Sequence, residues 1–282
     1  MTELAVLLAS TVALSAPLIL AALGGWFSER SGVINIGLEG KMLIATVLVF
    51  LVGLATGSAV LGLAAGIAGS IALALLHWLM TQSYRVDPIV SGMAINALAL
   101  GLANFLHQKF GREMVGPPPL MPLSVFTVLA FALPFVLAVI ALRTRLGIRL
   151  RAAGSDPEKA RQVGLHPIRI RLWALVGTGV CCGLSGAWIL TNARFYTDNM
   201  TAGRGFIALA ALILGGWRPI PAMIACIGFA LFQALQVQLQ GSQILGMRIP
   251  PEFWFSLPYL ITVIALAGFL GRSRAPRGLG KV

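Results

Sequence analysis

The chain has 282 residues, of which 58% are hydrophobic and only 11% are charged, and its mean hydropathy is +0.89. Soluble domains carry about 25% charged residues, so a water-soluble protein of this composition could not cover its surface, and that class is excluded. The net charge of +12 would suggest nucleic acid in a soluble chain, but here most of the excess lies in two segments, 143–171 and 271–282, which argues against a nucleic-acid interface.

Nine apolar runs predict an all-α, polytopic membrane protein, because a helix needs about 20 apolar residues to span the hydrocarbon core of a bilayer. The runs are 4–24, 34–53, 58–80, 89–107, 124–142, 172–192, 205–217, 219–239 and 255–270. Two of them are candidates for broken or re-entrant helices: 34–53 contains Glu39 and Lys41, and 205–217 is short for a crossing. Irregular backbone at membrane depth is tolerated only where protein or water surrounds it, so such segments point to a transport pathway.

The distribution of charge predicts the orientation of these runs. The loop at 143–171 carries eight basic and two acidic side chains, and so basic a loop stays on the cytoplasmic side of a membrane. The four later runs then return the basic tail at 271–282 to the cytoplasm, and the five earlier runs place Met1 outside, at the start of an uncleaved first span. The segment between the sixth and seventh runs is expected to be a short outside loop. The chain 1–282 is therefore predicted to form one transmembrane domain.

Three pairs of glycines lie four residues apart within the apolar runs, a spacing that brings helix backbones together on one face. Such spacing is common inside polytopic bundles, so we interpret the pairs as packing grooves within the subunit and not as a dimer seam. The pairs are Gly53 with Gly57, Gly62 with Gly66, and Gly179 with Gly183.

A first polar motif, ERSGVINIGLEGK, lies at the entrance to the second apolar run. Charged and amide side chains in a membrane segment are costly unless they are paired or face water, so they are candidates for function. Two simpler interpretations stay open: Glu29 and Arg30 form an interfacial pair, and Lys41 extends to the headgroups. Asn35 and Glu39, four residues apart on one predicted helical face, are the stronger candidates for a substrate pathway.

A second polar motif lies in the fourth run, where Asn96 and Asn104 share a predicted helical face at a spacing of eight residues. Amides can bind the hydrogen-bonding edge of a neutral polar solute without the desolvation cost of a charge, but amides also serve as interhelical contacts. Gln233 and Gln236 in the eighth run invite the same two interpretations. Asn96, Asn104 and Gln233 are therefore further candidates for the substrate pathway.

A third motif lies in the basic loop itself. Asp156 followed by Pro157 is a helix-start signal, and Gly164 followed by Pro167 is a stop signal. The spacing predicts a short helix over 157–163 on the cytoplasmic face, which would form a rigid knob. The alternative is a solvated linker with incidental helicity.

Enzyme motifs are absent from the sequence. There is no HExxH, no GxSxG and no Walker A, since Gly40-Lys41 is followed by Met42. The three histidines lie far apart in the sequence and suggest no metal site. An ion-gradient-driven carrier or channel stays open as an alternative class, although such a carrier would usually show more ionisable residues in mid-span. An intramembrane enzyme would need a catalytic constellation that the sequence does not show.

Four segments together resemble a family of ABC importer permease subunits, the one that includes the ribose-type and branched-chain amino acid-type permeases, and they are most similar to its nucleoside-uptake branch. These segments are GGWFSERSGVINIGLEGKMLI at 24–44, VSGMAINALALGLANF at 90–105, RAAGSDPEKARQVGL at 151–165 and GFIALAALILGGWRP at 205–219. They occur in the order typical of the family.

The resemblance implies that the loop carries a coupling helix, which docks into a groove on a separate ATPase subunit. The residues that match this docking segment are Arg151, Gly154, Asp156, Pro157, Ala160 and Gly164. It further implies a permease that is not itself an ATPase and binds no cofactor, with ATP and Mg²⁺ on the partner. The expected solute is a nucleoside or a similar neutral polar molecule, and a sugar or a riboflavin-like molecule stays open.

The resemblance also implies the other partners and the location. These are a second permease subunit in a heterodimer, an extracytoplasmic solute-binding protein, and the lipid of a bacterial cytoplasmic membrane. No nucleic acid is expected.

Overall fold

A computed structural model describes residues 3–111, 116–239, 243–244, 247–248 and 275–281. The helices are α1 (Glu3–Arg30), α2 (Leu38–Thr56), α3 (Ala59–Trp78), α4 (Pro88–Leu106), α5 (Leu123–Arg143), α6 (Arg145–Ser155), α7 (Pro157–Gln162), α8 (Pro167–Ala193), α9 (Arg204–Leu214) and α10 (Pro219–Leu239). Single π-helical turns extend α3 over Leu79–Ser83 and α4 over His107–Gly111. Two short antiparallel strands, β1 (Gln243–Ile244) and β2 (Met247–Arg248), pair Gln243 with Arg248.

Seven of the described helices are long and apolar enough to cross a membrane, namely α1, α2, α3, α4, α5, α8 and α10. Each coincides with a predicted apolar run, so the prediction of an all-helical membrane fold is confirmed. The run at 255–270 lies outside the described residues, and nine crossings therefore remain a prediction.

Two helices form the centre of the bundle. In α2 and in α8, 78% of the most apolar 18-residue window is buried inside the protein, whereas the corresponding fraction is 22% in α5 and 28% in α3 and α4. The second half of α1 is also buried, with Leu18, Leu20 and Leu23 each at 0% exposure. Polar residues in the buried stretches of α1, α2 and α8 therefore lie in the protein interior and not at a lipid-facing surface.

Small residues allow the central helices to approach closely. A side chain at Gly62 would place its Cβ 2.9 Å from the carbonyl oxygen of Val49, and one at Gly179 would approach Ile71 within 2.6 Å. These contacts join α3 to α2 and to α8, so the predicted packing grooves within the subunit are confirmed there. Gly57 serves a different purpose, because it ends α2 with a left-handed φ of +64°.

The seventh apolar run forms a half-length helix. α9 has 11 residues, which at 1.5 Å per residue is about 16 Å, roughly half of the hydrocarbon thickness. The segment before it is irregular, with positive φ at Arg194, Asn199 and Ala202. The prediction that this run is short for a full crossing is confirmed, and a broken or re-entrant crossing there stays a prediction.

Most of the irregular segment before α9 is exposed, and its buried residues are Tyr196, Met200 and Thr201. The ring centroid of Tyr196 lies 4.6 Å from that of His107, near the end of α4, whereas Gly203 hydrogen-bonds to Glu39 near the start of α2. The placement of this segment as a short outside loop stays a prediction, and the structure adds that backbone amides at the start of α9 have their acceptor on α2.

The corresponding prediction for the second run is wrong, because α2 is continuous from Leu38 to Thr56. The irregular backbone lies before the helix, at 31–37, where Gly32 has a φ of +101°. Asn35 belongs to this segment, so Asn35 and Glu39 do not share a helical face. The helix does not need to break at its charged residues because their polar groups find partners in the fold.

The tail and the basic loop meet at one end of the molecule, which we call the loop end. The amide of Gly278 donates to the carbonyl of Gly154 over 2.9 Å, and the amide of Gly280 donates to the carbonyl of Gly32 over 3.0 Å. The loop and the described part of the tail thus lie on the same side, as the charge pattern predicts.

Candidate membrane site and coupling surface

Asn35 is the centre of a buried polar network. Its amide nitrogen donates to Ser28 Oγ over 3.1 Å, and its carbonyl oxygen accepts a 2.7 Å hydrogen bond from Lys41 Nζ. Its backbone amide donates to Glu29 Oε1 over 3.3 Å. Since Asn35 is 0% exposed, these bonds satisfy polar groups that would otherwise be costly to bury.

Lys41 does not extend to the headgroups, because it is 0% exposed and lies within the same network. Its Nζ is 3.3 Å from His77 Nδ1 on α3, in addition to the bond to Asn35. Glu29 is likewise not paired with Arg30, since its Oε2 accepts a 2.6 Å bond from the indole of Trp217. Both simple interpretations of this motif are therefore wrong, because interior partners are available to each group.

Glu39 caps the half-length helix α9. Its Oε1 accepts from the amide of Gly203 over 2.7 Å, and its Oε2 accepts from the amide of Gly205 over 2.6 Å. The first amides of a helix have no acceptor within the helix and carry partial positive charge, so a carboxylate is favourable there. Glu39 thus fixes the position of the N-terminus of α9 inside the bundle.

The other end of α9 is held by two tryptophans. After the helix, Trp217 adopts a positive φ of 54°; its carbonyl accepts from the Trp26 indole over 3.1 Å, and its own indole donates to Glu29. The short helix is therefore attached at one end to α2 and at the other end to α1.

Asn96 connects α4 to the entrance of α2. Its side-chain oxygen accepts from the amide of Gly40 over 2.8 Å, and its side-chain nitrogen donates to the carbonyl of Ile36 over 3.1 Å. The two backbones touch nearby, since a Cβ on Gly92 would lie 2.9 Å from the Gly37 nitrogen. Asn35, Glu39 and Asn96 therefore meet around the first turn of α2.

The remaining pathway candidates lie apart from this cluster. Asn104 is two turns further along α4 and is half-buried, and its Oδ1 is buried without a hydrogen-bond partner among the described residues. Gln233 is half-buried on α10, which packs on α1, α5 and α9. That these five residues line a substrate pathway stays a prediction.

The basic loop folds into two helices, α6 and α7. Asp156 caps α7 by accepting a 3.0 Å bond from the amide of Lys159 at Oδ1, and this backbone bond lowers the pKa of the Asp156 carboxyl below its ordinary value. Gly164 ends the turn at a φ of +80°, and the Leu165 amide donates to the carbonyl of Ala160 over 2.9 Å. The predicted short helix is confirmed over Pro157–Gln162.

The six residues matched to a docking segment divide into two groups. Gly154 and Ala160 are buried; the Cα of Gly154 packs directly on the carbonyl of Arg30, and a Cβ there would lie 3.1 Å from the Gly32 nitrogen. Gly164 is exposed, whereas Arg151, Asp156 and Pro157 are partly exposed. The buried pair thus attaches the loop to the bundle, and the rest remain available to a partner.

Sequence reasoning missed two residues at the loop end. Val163 is 74% exposed directly after α7, and an apolar residue in so polar a stretch was a usable signal. Arg171 is only 2% exposed; it donates to the carbonyl of Ser31 over 3.2 Å, to Gln82 Oε1 over 2.8 Å and to the carbonyl of Lys281 over 2.8 Å. Counted only as part of the charge excess, Arg171 gave no signal of this interior role.

Comparisons with known proteins agree with this arrangement. Residues 7–266 match the family described as branched-chain amino acid transport system / permease component. The chain is 36% identical to the guanosine ABC transporter permease protein NupQ of Bacillus subtilis (strain 168), over 98% of this chain and 96% of the relative.

Two further relatives span nearly the whole length. The chain is 35% identical to the nucleoside ABC transporter permease protein NupC of Lactococcus lactis subsp. cremoris (strain MG1363), over 98% of this chain and 96% of the relative. It is 30% identical to the putative glucose ABC transporter permease protein TsgC13 of Haloferax volcanii, over 96% of this chain and 93% of the relative. The chain therefore belongs to the branched-chain amino acid transport system permease family.

Proposed function

We propose that this chain is the transmembrane subunit of an ATP-driven importer for a nucleoside or a similar neutral polar solute. Its partners would be a separate ATP-binding subunit, a second permease subunit in a heterodimer and an extracytoplasmic solute-binding protein, in a bacterial cytoplasmic membrane. ATP and Mg²⁺ would bind the ATPase subunit, because this chain contains no Walker A sequence. The names of the two relatives at 36% and 35% identity support the nucleoside assignment.

The observation that carries the proposal is a continuous connection between the coupling loop and α9. Gly154, just before α7, packs on the backbone of Arg30 and Gly32 at the start of the irregular segment 31–37. That segment contains Asn35 and leads directly into Glu39, which caps α9.

A push on α7 by the ATPase would therefore reach the half-length helix through packed backbone and hydrogen bonds. Half-helices that begin at mid-depth are typical of transporter binding sites. In this proposal the loop end faces the cytoplasm, so that α7 meets the ATPase there.

In the proposed cycle, ATP binding closes the ATPase pair and moves the coupling helices, which switches the central pathway between outward and inward access. Movement of α9 would release Glu39 from the Gly203 and Gly205 amides. Glu39, Asn35, Asn96, Asn104 and Gln233 would then present hydrogen-bonding groups to the solute. The unpartnered Oδ1 of Asn104 is an acceptor for a solute hydroxyl or amine group.

Vesicle uptake tests the proposal. Membrane vesicles containing the full transporter should take up radiolabelled guanosine in the presence of ATP after the proton and sodium gradients are collapsed. If uptake stops when the gradients are collapsed and does not depend on ATP, the protein is instead a gradient-driven carrier. If excess glucose but not excess nucleoside inhibits uptake, the solute is a sugar and not a nucleoside. The relative at 30% identity favours that alternative.

The docking role of α7 has its own test. Asp156→Lys and Gly164→Trp should both weaken association with the ATPase subunit and reduce uptake. Gly57→Trp is a matched control for the second variant, because Gly57 also has a positive φ with open space around it and ends α2, far along the helix from Glu39 and the loop end. Normal association and transport in both loop variants would show that the docking role is wrong.

A further inference from the structure

A cavity of about 480 Å³ opens at the loop end between α6 and the first turns of α8. It lies outside the network around Asn35 and outside the exposed face of α7. Its lining is mostly apolar and draws on four helices, with Phe27 from α1, Ile140 from α5, Leu146 and Leu150 from α6, and Ile170 and Trp173 from α8. Two arginines, Arg149 on α6 and Arg169 on α8, also line it.

The sequence of each helix explains this combination. On α6, Arg149 and Leu150 lie three and four residues after Leu146, so each is a neighbour of Leu146 on the helix surface. On α8, Arg169 and Trp173 are four residues apart and share a face in the same way. Each helix therefore presents an apolar stripe with one guanidinium beside it.

Two of the apolar side chains that line this cavity are largely exposed. Trp173 is 72% exposed and Leu146 is 62% exposed, and such large apolar surfaces are unfavourable in water. Trp173 lies in the second turn of the membrane-spanning helix α8, the position at which tryptophan is enriched at membrane interfaces. A basic amphipathic helix such as α6 is typical of segments that lie in the interface plane.

The two arginines lack neutralising partners in the part of the chain that the structure describes. The ion pairs found there join His107 to Asp198 and Lys159 to Asp156. Both Arg149 and Arg169 are exposed, so the two guanidinium groups form a cationic rim beside an apolar cavity. A ligand that satisfies both features has an anionic head and a long apolar chain.

We propose that this cavity binds an anionic phospholipid, with an acyl chain against the apolar lining and the phosphate at Arg149 and Arg169. The proposal rests on the orientation in the proposed function, since a cytoplasmic loop end faces the leaflet rich in anionic lipid. The exposed Trp173 and the half-buried Ile170 belong to a membrane span, which favours lipid over a cytoplasmic protein as the occupant. Gly164, Leu165 and His166, which connect α7 to α8, also line the cavity, so the lipid would contact the coupling loop.

Native mass spectrometry of the purified transporter tests the proposal, with phosphatidylglycerol and phosphatidylcholine offered at equal concentration. The double variant Arg149→Gln/Arg169→Gln should lose its preference for phosphatidylglycerol by about 25-fold, because each basic residue near an anionic surface contributes about fivefold. Arg143→Gln/Arg145→Gln is the matched control, since it removes the same charge from exposed positions at the junction of α5 and α6 that do not line the cavity. The control should keep the preference.

If both double variants lose their preference for phosphatidylglycerol to the same extent, the effect is one of general charge, and the proposal is overturned. Competition by inorganic phosphate in the absence of lipid preference would also overturn it, because the site would then bind the free anion. Displacement of bound lipid by the ATPase subunit would assign the cavity to that protein interface and overturn it as well. Lipid selectivity is measured without solute or ATP, so a failed uptake experiment with intact selectivity would count against the proposed function alone.

Discussion

Glu39 Oε1 accepts a 2.7 Å hydrogen bond from the amide of Gly203, a residue 164 positions later in the chain. The second carboxylate oxygen accepts from Gly205 over 2.6 Å. One side chain in the first turn of α2 thus positions the start of α9, so a residue that the sequence marked as a pathway candidate also holds a half-length helix in place.

Loss of this cap should destabilise the protein. In Glu39→Ala the two amides would lack an acceptor in a buried position, which costs about 1–3 kcal/mol for each unsatisfied group. The thermal midpoint of the purified transporter should therefore fall in Glu39→Ala. It should fall less in Glu39→Gln, because glutamine retains one acceptor oxygen. Glu158→Ala is the control, because Glu158 is exposed on α7. A midpoint for Glu39→Ala equal to that of the control would contradict the capping role.

The contact between Asn35 and Lys41 should show strong coupling. Asn35→Leu removes the 2.7 Å acceptor of Lys41 and leaves a buried amino group poorly satisfied, which costs about 1–3 kcal/mol. Adding Lys41→Met should recover part of that loss, since the amino group itself is then gone. A double-mutant cycle on the free energy of unfolding should give a coupling of about 1–3 kcal/mol. Simple additivity of the two single variants would show that the contact is energetically unimportant.

Gly154 should tolerate no larger residue. Its Cα packs on the carbonyl of Arg30 and lies near the Gly32 nitrogen, so Gly154→Val must displace backbone, which costs about 1–3 kcal/mol. In the proposed function it should also reduce coupling of ATP hydrolysis to uptake. Gly228→Ala on α10 is the matched control, because that glycine has no neighbouring atom within 4 Å of a new Cβ. A Gly154→Val variant with wild-type stability and coupling would rule out the close contact.

The cap of α7 should depend on an acceptor oxygen and not on net charge. Asp156→Asn keeps the acceptor and should retain ATPase stimulation, whereas Asp156→Ala should reduce it, since the first turn of α7 then loses its N-cap acceptor. Stimulation by solute-loaded binding protein is the measurement. Equal activity of the alanine and asparagine variants would exclude the cap from coupling.

The pH dependence of the same cap follows from the lowered pKa of the Asp156 carboxyl, whose ordinary value is 3.8. A carboxyl with a lowered pKa contributes stability above its unfolded pKa and loses it as the pH falls through the folded value. The cap should therefore be intact from pH 5 to 8, and the ratio of wild-type to Asp156→Asn stimulation should stay constant across that window. A ratio that changes there would show that another group controls α7.

The sequence by itself determined the class and most of the helices. A long apolar run crosses a bilayer as a helix, because its backbone polar groups have no other hydrogen-bond partners there. Seven of the predicted runs are helices long enough to cross. Asp156 before Pro157 and the glycine at 164 also set the limits of α7, because helix-start and stop signals act within a few residues of the chain.

Only the tertiary structure decided what the polar residues of the bundle do. The partners of Glu39 and Glu29 lie 166 and 188 positions away, a separation that no local pattern reveals. A buried polar group is costly without a hydrogen-bond partner. The carboxylate of Glu39 finds its partners on α9, and for that reason α2 remains unbroken at this residue.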